Sequence, residues 1–368
     1  MKSESKELNI FVVGTRAQLI KVAPIIHEFE EKNIPLFLLM TGQHKETMND
    51  LLLEFRIKTK PIYTVEANER SSIASLFLWL PKAYFSTKTK INSIKEDYKG
   101  ISANIFVHGD TLTTLLSAYC GKRTSCKVIH LESGLTSGNL WSPFPEEIIR
   151  RLVFKVTDLA FCPDEKSVQH MKVISSAEII NTNGNTIFDA LKLVAHNEPA
   201  QPNNAPYVVA SIHRFDNIYN ELRLKNIVEK LSEISKIINI SFVLHPATTK
   251  RLKKYNLYEK LEKQNNISLV NRMSYSSFIK TTMQSVCVLT DGGSNQEELA
   301  YLGIPTIIMR KCTERIDGLG SNAIMENEIE NLFDFIREKK YEALRRGKES
   351  PPQPSPSQVI AQQFFDKH

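Results

Sequence analysis

The chain has 368 residues, 42% of them hydrophobic, which favours two domains of similar size with substantial cores. Its net charge of +6 is modest, and Lys and Arg are spread along the chain without a basic tail or basic-aromatic repeat, so the balance argues against a nucleic-acid surface and leaves some attraction for an anionic ligand. Five scattered cysteines, Cys120, Cys126, Cys162, Cys287 and Cys312, form no Cys-x-x-Cys pair, which argues against a structural zinc or disulfide framework and for a reducing, cytoplasmic setting.

The first residues, 1–7, are polar where a signal peptide needs an apolar stretch. Leu8 to Val13 reads as a buried strand, followed by Gly14-Thr15-Arg16 and a helix with Ile20, Ala23, Ile26 and His27 or Phe29 on one face. Ile34 to Met40 repeats the strand, and Gly42-Gln43-His44 leads into another helix. The most apolar segment, Ile73 to Phe85, is too short to span a bilayer and is interrupted by Ser75, Pro81 and Lys82, so core or dimer contact is expected for it. Further strands are predicted at Ile105 to Val107, Val128 to Leu131, Leu159 to Cys162 and Glu178 to Ile180, with a helix over Leu112 to Lys122. A polar, Pro-rich stretch, 196–206, reads as an interdomain linker. Alternation restarts with strands at Tyr207 to Ile212, Ser241 to Leu244, Ile267 to Val270, Val286 to Thr290 and Thr306 to Met309. The expected organisation is α/β: a first domain over 1–196, a second over 207–347, and a tail, 348–368, whose final helix packs back on the first domain. Both sheets are expected to be mostly parallel.

Within the first domain, residues 107–151 place three acidic clusters at or near strand ends: His108-Gly109-Asp110-Thr111, His130-Leu131-Glu132-Ser133-Gly134-Leu135, and Pro143-Phe144-Pro145-Glu146-Glu147. Ligands of open parallel sheets sit at the carboxyl ends of the strands, so Asp110, Glu132 and Glu146 are expected to meet around one substrate. Any one of them alone could be only a helix cap or a turn former. In the second domain, Thr290-Asp291-Gly292-Gly293-Ser294 ends an apolar strand and opens a helix whose exposed N–H groups favour a phosphate, with Glu298 one turn in, placed for ribose hydroxyls. No Gly-x-Gly-x-x-Gly follows the first strand and no Walker lysine loop is present, which argues against a nicotinamide or flavin dehydrogenase and a P-loop enzyme.

These residues, with Ile20-Lys21, Arg150, Gly184-Asn185-Thr186, Ser211-Ile212-His213-Arg214, His245-Pro246, Gln296-Glu297-Glu298 and Thr313-Glu314-Arg315 in the same order, resemble the UDP-N-acetylglucosamine 2-epimerases over nearly the whole chain. The resemblance implies a GT-B-type fold, two Rossmann-like doubly wound domains facing a cleft, and a UDP-amino sugar as substrate. By position, Gly292, Gly293 and Ser294 would hold the diphosphate, Glu298 the ribose, and Phe278 would lie by the uracil. Arg16, Lys21 and Arg150 would supply positive charge, His213 would sit near the leaving phosphate, and Asp110, Glu132 and Glu146 would surround the sugar. The chemistry requires no metal or redox cofactor, and a homodimer without membrane insertion is expected.

The sequence also departs from the family pattern. Ala17-Gln18 stands where Pro-Glu is usual, Thr136 for an Arg, Ile149 for an Asn, Phe215-Asp216 for a basic-acidic pair, and Gly-Gly-Ser for Ser-Gly-Gly. If Gln18, Thr136 and Ile149 line the sugar pocket, the substrate carries a less polar or altered group there. Alternatives are a hydrolysing epimerase that releases free sugar, and a GT-B glycosyltransferase or an inactive nucleotide-sugar-binding relative.

Overall fold

The structure, a computed structural model, describes residues 7–41, 45–65, 73–140, 145–195, 205–313, 315–350 and 352–365. The chain divides into two compact units, Met1–Leu193 with Pro351–His368, and Val194–Ser350.

In chain order the first unit runs β1 (Glu7–Val13), α1 (Arg16–Glu31), β2 (Leu36–Met40), α2 (Lys45–Glu54), β3 (Pro61–Tyr63), α3 (Ile73–Asp97), β4 (Ser102–His108) and α4 (Leu112–Arg123). It continues through β5 (Lys127–Leu131), α5 (Glu146–Phe154), β6 (Leu159–Cys162), α6 (Glu165–Ile174), β7 (Glu178–Asn181) and α7 (Ile187–Ala195). The described residues form a seven-stranded parallel sheet in the order β3-β2-β1-β4-β5-β6-β7. Strand order reverses between β1 and β4, which makes their carboxyl ends the natural ligand position.

Side-chain alternation explains how both faces of this sheet are covered. Leu8, Ile10 and Val12 join Trp79, Ala83, Ile105, Val107 and Ile149 in one apolar core. Phe11 points the other way and stacks on Phe106 with ring centroids 4.2 Å apart, while Phe29 meets both rings edge-on. Here the final helix α15 (Pro356–Phe365) contributes Phe364, 4.9 Å from the Phe106 ring and 5.7 Å from Phe29. Asp189 of α7 accepts the Ser357 N–H at 2.8 Å and so ties down the start of that helix.

The second unit runs β8 (Tyr207–Ser211), α8 (Phe215–Ile218), α9 (Glu221–Ile234), β9 (Asn239–Leu244), α10 (Pro246–Lys254), α11 (Tyr258–Glu262), β10 (Ile267–Asn271), α12 (Tyr275–Gln284) and β11 (Cys287–Thr290). Next come α13 (Gly293–Leu302), β12 (Thr306–Ile308), β13 (Ala323–Met325) and α14 (Leu332–Arg337). Its six-stranded sheet is again parallel, in the order β10-β9-β8-β11-β12-β13, and reverses between β8 and β11.

Two features differ from the sequence expectation. The edge strands β3 and β13 have three residues each and were too short to stand out. The apolar segment 73–85 opens the 25-residue helix α3, which carries Pro81 internally and buries Trp79 and Ala83 while Phe85 stays exposed. Most of the linker, 196–204, and Gly42-Gln43-His44 lie outside the described residues. No helix among the described residues is long and apolar enough to cross a membrane.

Candidate active site

In the first unit, parallel register brings the acidic clusters together. His108 of β4 pairs with Leu131 of β5, so the residues that follow, Gly109-Asp110 and Glu132, leave the sheet side by side. Glu132 takes φ +56°, a left-handed conformation that costs a non-glycine residue roughly 1–2 kcal/mol and that turns its side chain away from the strand's alternation. Its Oε2 accepts Lys21 Nζ of α1 at 2.6 Å and lies 3.3 Å from His108 Nε2. Asp110 is 2.5 Å from Arg150 Nη2 on α5. Glu146 opens α5, where a carboxylate is favoured by the helix dipole, and its Oε2 is buried with no hydrogen bond among the described residues. Two carboxylates therefore face cations, and no ion pair to the third is formed among the described residues. Pro143 and Phe144 lie outside the described residues.

Glu147 was not singled out from the sequence and turns out to be the anchor of this edge. It is fully buried, binds Thr136 Oγ1, accepts the Ser137 N–H at 3.2 Å and pairs with Arg150 Nη1 at 3.1 Å. Burial alone pushes its pKa up, but the bonds from Thr136, Ser137 and Arg150 outweigh burial and hold it below the ordinary value. Arg150 thus bridges Glu147 to Asp110.

In the second unit, Thr290 of β11 is in register with Ser211 of β8, so Asp291 and His213 emerge together at the point of reversal. Asp291, 1% exposed, accepts the N–H groups of His213 at 2.9 Å and Arg214 at 3.0 Å and the Asn217 amide at 2.8 Å. The same carboxylate lies 3.4 Å from His213 Nδ1. Burial lowers the His213 pKa, Asp291 opposes it, and Arg214 and Arg272 reinforce the lowering. The imidazole lies against Gly292, where an added Cβ would come within 2.9 Å of His213 Cε1. Gly292 is the N-cap of α13 and offers no side-chain cap, so the first N–H groups of the helix, at Gly293 and Ser294, are available to an anion.

The family model for UDP-N-acetylglucosamine 2-epimerase matches residues 27–349. The chain belongs to that family. The UDP-N-acetylglucosamine 2-epimerase of Methanocaldococcus jannaschii is 31% identical over 345 residues, covering 88% of this chain and 90% of the relative. That of Neisseria meningitidis serogroup A is 29% identical, covering 91% and 92%. Among solved structures, the N. meningitidis UDP-GlcNAc 2-epimerase bound to UDP-GlcNAc has a TM-score of 0.80 at 26% identity, covering 98% of this chain and all of that one. The M. jannaschii enzyme in complex with UDP-GlcNAc and UDP has a TM-score of 0.76 at 27% identity, covering 98% and 99%. The fold is accordingly of the GT-B type, with two parallel-sheet α/β domains.

For this family member the remaining site residues are placed as follows. Arg16 is half-buried at the start of α1, Phe278 is half-buried on α12, and Glu298 is buried on α13. Three departures from the family pattern have partners within the first unit. Gln18 is 2% exposed, and its amide is spent on the Gly14 N–H after β1, the His108 carbonyl of β4 and the hydroxyls of Thr111 and Thr114 at the start of α4. Ile149 lies in the apolar core, and Thr136 is bound to Glu147. Phe215 is exposed and stacks on Tyr219 at 4.2 Å. Asp291 was not singled out from the sequence; the parallel register of β11 with β8 is the signal that pairs it with His213.

Proposed function

We propose that this chain interconverts UDP-N-acetylglucosamine and UDP-N-acetylmannosamine by elimination and re-addition of UDP. The observation that supports the reading is the pair Asp110 and Glu132 leaving the carboxyl ends of β4 and β5 side by side against Arg150 and Lys21, with Glu146 opening α5 and its Oε2 buried without a hydrogen bond among the described residues. The C2 hydrogen of a 2-acetamido sugar is not next to a carbonyl and becomes acidic only as the C1–O bond breaks and positive charge builds at C1. One carboxylate takes the C2 proton as the electron pair forms the C1–C2 double bond and UDP departs with the C1–O pair. Return of a proton to the opposite face of C2, with UDP re-adding at C1, completes inversion, which needs acid/base groups on both faces. The remaining charges, Lys21 and Arg150 among them, fix the carboxylates and stabilise the charge that develops.

In the second unit the Gly292-Gly293-Ser294 turn holds the diphosphate, Glu298 the ribose and Phe278 the uracil side, while His213 stabilises the departing phosphate. Arg16 supplies positive charge to the substrate. The same proposal includes a cytoplasmic homodimer, which size-exclusion chromatography with light scattering tests. Incubation with UDP-N-acetylglucosamine, read by the anomeric proton signals, tests the activity: a UDP-linked manno product supports the reading, and free amino sugar or unchanged substrate contradicts it.

A further inference from the structure

Two side chains outside the carboxylate set grip the turn that carries Asp110. After β4 the chain turns through Gly109, at φ +65°, into Asp110 and the α4 N-cap residue Thr111. A turn this tight has few backbone partners of its own, so what binds its carbonyls sets where its side chains point. Gly109 N–H donates to Leu131 O at 3.0 Å. Gln18 Nε2 donates to His108 O at 2.8 Å, and His130 Nε2 donates to Gly109 O at 2.9 Å. Gln18 reaches the turn from α1, across the reversal between β1 and β4, and His130 from the neighbouring strand β5.

We propose that Gln18 and His130 are positioning residues for Asp110, clamping the backbone of its turn from opposite sides. The inference rests on Asp110 acting as an acid/base group in the reaction above. Each role demands a donor at a particular atom. The His130 ring bonds a carbonyl through Nε2, so that nitrogen carries the proton, while Nδ1 is buried with no hydrogen bond among the described residues. Burial, only partly opposed by the bond to Gly109 and by Glu132, pushes its pKa down to about 4, which keeps the ring neutral. Gln18 accepts the Gly14 and Thr15 N–H groups with Oε1, at 2.9 and 3.2 Å, while its Nε2 also reaches Thr111 Oγ1 and Thr114 Oγ1, both at 2.9 Å. As a neutral amide it accepts from the turn after β1 and donates to β4. An ionised glutamate, the family's usual residue here, has no proton for His108 O, so this half of the clamp is a feature of this chain.

The test compares kcat and KM of the full-length enzyme on UDP-N-acetylglucosamine in His130→Phe, His130→Gln and Gln18→Leu, with the UDP-induced thermal shift as a control for folding. Phe keeps the ring that packs 5.6 Å from Phe154 but removes the donor, and Gln keeps a donor. His130→Phe and Gln18→Leu are expected to lower kcat roughly ten- to a hundredfold, the scale of a small misplacement of a reacting group. KM should stay within about twofold, and His130→Gln should recover most of the rate. His130→Phe combined with Asp110→Asn should be no slower than Asp110→Asn alone, because a positioning residue has nothing left to position. Unchanged kcat in both donor-free variants, equal loss in His130→Phe and His130→Gln, or a loss that adds to that of Asp110→Asn overturns the inference. Full turnover in Asp110→Asn overturns the catalytic reading beneath it, whereas a disabled Asp110→Asn beside a normal His130→Phe overturns the clamp alone.

Discussion

Asp291 Oδ1 lies 3.4 Å from His213 Nδ1 and 2.9 Å from the backbone N of the same residue, so one buried carboxylate fixes both the chain and the ring of the histidine. Its charge opposes the desolvation that lowers the imidazole's pKa. Asp291→Asn removes that opposition, so the pKa falls further, less imidazolium is present at neutral pH, and the rate optimum moves to lower pH. Turnover at neutral pH should drop at least about tenfold, and a pH–rate profile checks it.

Asp110→Asn, Glu132→Gln and Glu146→Gln should each lower turnover at least about a hundredfold, the scale of losing an acid/base group. The thermal shift produced by UDP should survive in all three, because the proposed nucleotide contacts are in the other unit. Near-normal turnover in two of them sinks the assignment.

UDP should raise the melting temperature, and AMP and NAD should not, since a ligand that binds only the folded state stabilises it by mass action. Glu298→Gln should weaken the shift. An undiminished shift moves the ribose contact elsewhere.

Acid stability reports on Glu147. Its folded pKa lies below the ordinary 4.5, so its contribution is present above that pH and is lost as pH falls through the folded value. Glu147→Gln should therefore flatten the pH dependence of denaturant unfolding below pH 4.5 while lowering stability at neutral pH, because the Thr136, Ser137 and Arg150 contacts are weakened. An unchanged slope would show that those contacts do not set its titration.

Much of the fold was legible because buried parallel strands read as continuous apolar runs, as at Leu8 to Val13 and Leu159 to Cys162. The strands β3 and β13 escaped since three residues carry no periodicity, and α3 was obscured by Pro81, a helix breaker tolerated here inside a helix. In the site, residue type and order pointed to Asp110, Glu132, Glu146 and His213, but not to what grips them. Gln18 and Ile149 looked like pocket residues because a sequence shows a polar or apolar substitution without its direction; one faces the backbone of β4 and the other the core. Glu147 and Asp291 were hidden beside more conspicuous neighbours, and only the register of adjacent strands and the fold of the 134–138 loop bring them to their partners.

The central claim is inversion through elimination, and the C2 hydrogen tests it most directly. Turnover of UDP-N-acetylglucosamine in deuterated water, followed by proton NMR, should give UDP-N-acetylmannosamine and recovered substrate carrying deuterium at C2. Epimerised product that retains its original C2 hydrogen would contradict the account.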